Sequence, residues 1–275
     1  MKPGSTIGET RQPFPVAPDG DHRQSRPANY NMFQIFKKNK HYDLSWLRVD
    51  MHSHILPGID DGSPDTESSI RYIRGLQDLG FDRLFMTPHI FPGVHPNDTH
   101  SIRAAYDRLI QAVPDDICRD IGMETAAEHM VTLEFDGKAE IADNCLLPGK
   151  RILIEMSYLA ASPNIDTVIF DLQMKGYQPI LAHPERYPYY FHQDGHFEQL
   201  RTQGCLLQCN LLSFAGYYGK SVKKAAEALA SQGLIDYLGT DLHHDRHLHV
   251  LQDYYRKHDG KSIFAKCSIF NSELK

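Results

Sequence analysis

The sequence has no apolar run long enough to span a bilayer and no charged, apolar and small-residue leader at its start. Neither a membrane helix nor a secretory signal is therefore expected. Cysteine is sparse: Cys118, Cys145, Cys205, Cys209 and Cys267 are odd in number and form no C-x-x-C. That pattern argues against a disulfide framework and against a thiolate zinc site. Positive charge is not in excess, with 29 Lys and Arg against 35 Asp and Glu and a formal net charge of −6. Nonspecific nucleic-acid binding rests on neutralising phosphates and is disfavoured. A small phosphorylated group stays open as a substrate, because a bound metal can reverse the local sign. Together these absences lead us to expect a cytoplasmic protein.

What is present is ordinary globular material, 41% hydrophobic and 23% charged over 275 residues. This length suits two small domains or one α/β barrel. Residues 1–31 hold five prolines and little aliphatic periodicity, which reads as a disordered leader or an added extension. A single domain is expected over 32–275. Residues 32–40, MFQIFKKNK, either pack their aromatics on that domain or make a weak peripheral membrane contact.

From residue 47 the chain alternates. Strand-like runs fall at 47–52, 83–89, 117–129, 151–157, 178–185, 205–210 and 235–243. Helical spacing of apolar residues marks Ile70 to Leu79, Ile102 to Ile110, Ile165 to Leu172 and Val222 to Leu229. Short strands alternating with helices imply βα units and a parallel sheet. Seven strands in about this length of chain fit a barrel better than an open sheet.

Polar residues gather at the ends of these strands. DMHSHILPGIDDG brings His52, His54 and Asp61. TPH ends in His89, AAEH carries Glu128, ILIEMS carries Glu155, LAHPER carries His183 and Arg186, and TDLH carries Asp241 and His243. In a parallel barrel these ends share one rim. Convergent carboxylates in such a place need a cation between them. Nine nitrogen and oxygen donors exceed what one or two ions need, and three would fit. Such donors suit manganese, iron or zinc in catalytic sites. Sites of this kind polarise phosphoryl oxygens.

Taken in order, these motifs resemble those of the polymerase and histidinol phosphatase (PHP) superfamily. The H-x-H-x-L-P-G-x-D-D-G and H-P-E-R forms resemble its bacterial capsule and exopolysaccharide protein-tyrosine phosphatases, over residues 32 to 275. The resemblance implies a distorted seven-stranded barrel and three divalent ions, with manganese foremost and iron or zinc possible. It implies one ion held by His52, His54, Glu128 and Asp241. It implies a second held by Glu128, Glu155 and His183, and a third by Asp61, His89 and His243. Arg186 would bind the substrate phosphate through its planar fork. Arg246 is the nearest match to a second phosphate-binding arginine, at a different spacing. The implied substrate is a phosphotyrosine-bearing protein, a bacterial tyrosine kinase of polysaccharide export. The acids at 61 and 155 favour this branch over a small-molecule phosphatase of the histidinol-phosphate type or a phosphodiesterase. A metal-stabilised binding module without turnover is the other alternative, and nine intact donors argue against it.

Nearby residues have plainer readings. Cys145 and Arg151 formally satisfy C-x5-R, but Arg151 leads straight into an apolar strand, so the match reads as coincidence. His129 should point away from Glu128 on a strand. Asp60 reads as a loop acid behind the donors, Asp50 as a partner of an imidazole. His244, His247 and His249 read as solvated or supporting groups. Tyr187, Tyr189 and Tyr190 form an aromatic rim for a phosphotyrosine ring or simply pack.

Overall fold

A computed structural model describes residues 42–135, 141–191, 193 and 195–275. The expectations for 1–31 and for 32–40 lie outside the described residues. The described part is a ring of parallel strands inside a layer of helices. Its strands are β1 (Val49–Asp50), β2 (Arg83–Met86), β3 (His89–Ile90), β4 (Gly122–Thr125), β5 (Glu128–Met130), β6 (Arg151–Glu155), β7 (Gln178–Ala182), β8 (Leu206–Asn210) and β9 (Tyr237–Gly239). They pair as β1-β2-β4 and as β3-β5-β6-β7-β8-β9. β3 continues β2 and β5 continues β4 across short breaks, so two of the seven expected strands are interrupted. The ends of β1 and β9 then meet. Ser53 and Leu242 form a parallel bridge, His54 N donates to Leu242 O at 3.0 Å and Asp241 N donates to His52 O at 2.8 Å. Seven parallel strands therefore close on themselves, as expected for a distorted barrel.

Strand alternation separates two apolar layers. Leu153, Ile180 and Ala182 lie in the cluster inside the barrel with Val49, Met51, Phe85 and Tyr237. Ile152, Ile154 and Leu181 belong to the larger cluster that includes residues of the covering helices. Those helices are α1 (Thr66–Asp78), α2 (Thr99–Ala112), α3 (Asp115–Asp120), α4 (Ile165–Met174), α5 (His196–Thr202), α6 (Leu211–Ala215), α7 (Lys220–Gln232), α8 (Asp245–Tyr255) and α9 (Gly260–Ile263). α1, α2, α4 and α7 match the four apolar periodicities. Side chains cap two of them: Asp65 accepts from Ser68 N, and Asp98 with Ser101 makes a capping box.

One strand expectation is overturned. The run 117–129 begins not as strand but as α3, with the strand starting at Gly122. Pro114 followed by Asp115 and Asp116 starts a helix, since acids in the first turn favour its positive end. Among the described residues, no helix is long and apolar enough to cross a membrane.

The loop after β1 is set by two glycines. Gly58 takes φ 70°, and its N–H donates to Ser63 O at 2.8 Å. Gly62 passes so near the strand end that a Cβ there would lie 1.9 Å from His54 O and 2.5 Å from His54 Cβ. Backbone cannot yield to that overlap without moving His54. Gly62→Ala is expected to lower the unfolding free energy by on the order of 3 kcal/mol. Urea titration of wild type and variant checks this, and equal midpoints would refute the steric reading.

Candidate metal centre

The carboxyl ends of the strands deliver all nine expected donor residues to one rim. His52 and His54 follow β1, and their Nε2 atoms stand 3.1 Å apart. His89 opens β3, Glu128 opens β5 and Glu155 closes β6. His183 and Asp241 follow β7 and β9 with φ of 35° and 51°, left-handed positions that cost a non-glycine residue about 1–3 kcal/mol. Strain of that kind is retained where a side chain must be aimed.

The donors overlap in groups whose ligand atoms lie within 4.8 Å of one another. They are His54, Asp61, His89 and His243; His52, His54 and Asp241; His52, Glu128 and His183; and His89, Glu128 and Glu155. The set Asp61, His89 and His243 recurs with His54 added. The set Glu128, Glu155 and His183 does not recur as one group. Glu155 Oε1 sits 2.8 Å from His89 Nδ1, whereas its other oxygen is 3.9 Å from His183 Nε2.

These atoms fit a cation. His89 Nδ1, Glu128 Oε2 and Glu155 Oε1 are buried and have no hydrogen bond, although His89 Nδ1 is 3.1 Å from Glu128 Oε2. Buried polar atoms left this way are costly unless something else satisfies them. Divalent ions held by oxygen and imidazole nitrogen would do so.

Electrostatics among the donors point the same way. Burial and the charge of His89 would lower the His54 imidazole, but the carboxylates of Asp60 and Glu128 beside it outweigh them and raise it to about 10. Burial opposes charge on Glu128 as well, and the imidazoles of His52 and His89 still hold it well below the usual carboxylate range. Burial, with His54 beside it, lowers His243 to about 4.

Supporting residues hold the donors in place. Asp60 Oδ2 is 2.9 Å from His54 Nδ1 and accepts from His89 N at 3.2 Å, the orienting acid expected there. Asp50 accepts from Thr240 N at 2.9 Å and from Thr240 Oγ1 at 2.5 Å, so it ties strand ends together rather than gripping an imidazole. His129 turns away, its Nε2 3.3 Å from Cys145 O. His247 is buried, its Nδ1 accepting from His243 N at 3.2 Å. His249 is exposed on α8.

A cavity of about 260 Å³ opens on the donors, lined also by Arg186, Tyr158, Tyr218, His244 and His247. Arg186 Nη1 donates to Asp241 Oδ2 at 2.8 Å, and its guanidinium is 4.5 Å from the Tyr158 ring and 4.2 Å from the Tyr218 ring. The two rings clamp the fork while it faces the cavity. Arg246 is a correction: it is exposed on the first turn of α8, over the Tyr217 ring at 5.5 Å, and does not line the cavity. His247 and Leu248 occupy the buried face of that helix, which leaves Arg246 to solvent. The tyrosines after Arg186 are not a rim either. Tyr187 is fully buried, donating to Ala182 O at 3.0 Å and accepting from Met156 N, and Tyr190 is buried. The aromatic walls are Tyr158 and Tyr218, which carry no motif signal. Cys145 lies buried in a turn before β6, its thiol pushed up to about 11 by burial, and its C-x5-R match has no role at this rim. Every cysteine is unpaired.

A family model for capsular polysaccharide synthesis, CpsB/CapC, matches residues 48–273. The chain is 30% identical to the tyrosine-protein phosphatase YwqE of Bacillus subtilis (strain 168) over 75% of its length and 82% of that protein. It is 26% identical to the tyrosine-protein phosphatase CpsB of Streptococcus pneumoniae, over 71% of its length and 82% of that protein. Among solved structures, one from a study of YwqE and CpsB as metal-dependent tyrosine phosphatases superposes with a TM-score of 0.66 at 27% identity. That match covers 81% of this chain and 96% of the other.

Imidazoles that hold protons near neutrality must release them to bind a cation, and His54 is raised to about 10. Metal affinity is therefore expected to rise with pH, by up to about tenfold per unit for each proton displaced. Chelator competition with manganese at about pH 6 and about pH 8 reads this, together with proton release in weak buffer. An affinity independent of pH would contradict it.

Proposed function

The chain belongs to the CpsB/CapC family of capsular polysaccharide synthesis, and on that premise we propose that it is a metal-dependent protein-tyrosine phosphatase working at this rim. The carrying observation is that nine donors converge in overlapping groups at one rim, and six of them, Asp61, His89, Glu128, His183, Asp241 and His243, line one cavity with a clamped arginine. His52, His54, Asp61, His89, Glu128, Glu155, His183, Asp241 and His243 would hold divalent ions, three being the number that suits the donor count and manganese the ion of first choice. When bound there, the ions supply Lewis acidity toward the phosphoryl group and favour a water nucleophile near neutral pH.

The chain's own groups do the rest. Asp241 and the two tyrosines hold the Arg186 guanidinium in one plane, so its remaining N–H donors are aimed before substrate arrives. A planar fork meets two phosphoryl oxygens at once. Its charge offsets the charge on the equatorial oxygens as the ester bond breaks. Tyrosinate is already a fair leaving group. No thiol takes part: the Cys145 sulfur is buried with its pKa raised.

A polypeptide substrate is supported by what surrounds the cavity. Val94, Leu133 and Leu159 are exposed at 58%, 72% and 95%, each in a loop that follows a strand on the carboxyl side of the barrel. Exposed apolar side chains on three loops of that side suit contact with a protein surface better than with a small polar phosphate ester. The partner we propose is a tyrosine kinase of polysaccharide export, and five unpaired cysteines suit a cytoplasmic setting for this chain.

Three experiments test this reading. Turnover of a phosphotyrosyl peptide should vanish with chelator, return with manganese, persist in Cys145→Ser, and exceed turnover of histidinol phosphate. Arg186→Ala should lower kcat/KM by on the order of a hundredfold with metal content intact. Preference for histidinol phosphate would overturn the substrate class, and turnover that survives metal removal would overturn the mechanism. Replacing Leu133 and Leu159 by serine should raise KM for a phosphorylated protein while leaving a small phosphotyrosine ester unaffected. Equal shifts for both substrates would remove the docking role of these two leucines.

A further inference from the structure

β8 places Leu206, Gln208 and Asn210 on one face and Leu207 and Cys209 on the other. Leu207 and Cys209 join the outer apolar layer, and Leu206 packs on the inner one. Gln208 and Asn210 therefore occupy interior positions and are fully buried. Amides at such positions cost stability unless every polar atom is engaged. No motif singles them out, and neither is a candidate ligand.

Their hydrogen bonds form one chain. Gln208 Oε1 is 2.9 Å from His52 Nδ1. Gln208 Nε2 donates to Asn210 Oδ1 at 2.9 Å, and Asn210 Nδ2 donates to Asp241 Oδ2 at 2.6 Å. Arg186 Nη1 donates to that same carboxylate oxygen at 2.8 Å. The other oxygen, Asp241 Oδ1, lies 3.5 Å from His52 Nε2 and 3.4 Å from His54 Nε2.

The polarity of the chain follows from its acidic end. A carboxylate facing a guanidinium is ionised and only accepts, so Asn210 must turn its N–H groups toward Asp241. The Asn210 oxygen then faces Gln208, which has to donate. That leaves the Gln208 oxygen for His52, so the His52 proton sits on Nδ1. Nε2 is then the ring nitrogen left for a cation, and it points at the donor cluster, 3.3 Å from Glu128 Oε2. Reversing either amide would set two oxygens against each other.

We propose that Gln208 and Asn210 are positioning residues: a two-amide relay through which Asp241 sets the tautomer of His52 and links the metal-binding side of the rim to Arg186. This rests on the reading that His52 and Asp241 hold a metal ion. Groups behind a metal-bound imidazole commonly change metal affinity by 10–100-fold when removed.

The test uses the full chain loaded with zinc, a diamagnetic probe. Long-range proton–nitrogen spectra of wild type should show His52 protonated at Nδ1 and bound through Nε2. Binding through Nδ1 would overturn the relay whatever the variants do. Zinc dissociation constants from chelator competition should rise by about 10–100-fold in Gln208→Met and in Asn210→Asp, with circular dichroism unchanged. Unchanged affinity in both would reduce the amides to filling and overturn the proposal. Should Gln208→Met fail to fold, Asn210→Asp and the wild-type spectrum decide. Wild-type protein that binds no zinc at the rim would instead sink the metal assignment, and the relay with it.

Discussion

Everything at the rim depends on how the two ends of the strand ring are stitched together. Asp50 takes two hydrogen bonds from Thr240, Asp241 N reaches His52 O at 2.8 Å, and His54 N reaches Leu242 O at 3.0 Å. These bonds join segments nearly two hundred residues apart in the chain. They close the barrel and, in the same stroke, set His52 and His54 beside Asp241. Gly239 shows how tight the seam is: a Cβ there would stand 2.6 Å from His52 Cβ. Loss of the seam would open the barrel and scatter the donors together.

The rim concentrates charge that a folded interior ordinarily avoids. Glu128, Glu155 and Asp241 are buried beside His52, His54 and His183. Several of the buried donor atoms there, among them His89 Nδ1, Glu128 Oε2 and Glu155 Oε1, have no hydrogen bond. Left-handed backbone at His183 and Asp241 adds strain at the same place. Both features are those of a site folded for a ligand rather than for stability alone. Stability comes from elsewhere, from the apolar layers on either side of the strands and from capped helices.

Much of this was legible before any coordinates. The alternation of seven short strands with four amphipathic helices was legible because periodicity is a local property. The donors were legible because each sits in a short motif at a strand end or, for Asp61, in the loop that follows one. The misreadings share a cause. The helix at Asp115–Asp120 was hidden by strand-like apolar residues, although Pro114 and two aspartates marked its start. Arg246 matched by spacing along the chain, but the turn of α8 carries it to solvent. The rings that clamp Arg186 come from loops after β6 and α6, and nothing local to Tyr158 or Tyr218 distinguishes them.

Residue type and order along the chain were enough to decide the chemistry: nitrogen and oxygen donors, an arginine fork, a parallel barrel to gather them. These depend on what each segment does by itself. The arrangement of that chemistry belongs to the closed barrel. Which donors share an ion's space, which nitrogen of His52 faces them, and what holds Arg186 flat are all set by distances between strands. Gln208 is 156 positions from His52 and 2.9 Å away in space. No pattern within one segment can encode such a contact, because the barrel's closure and stagger decide it.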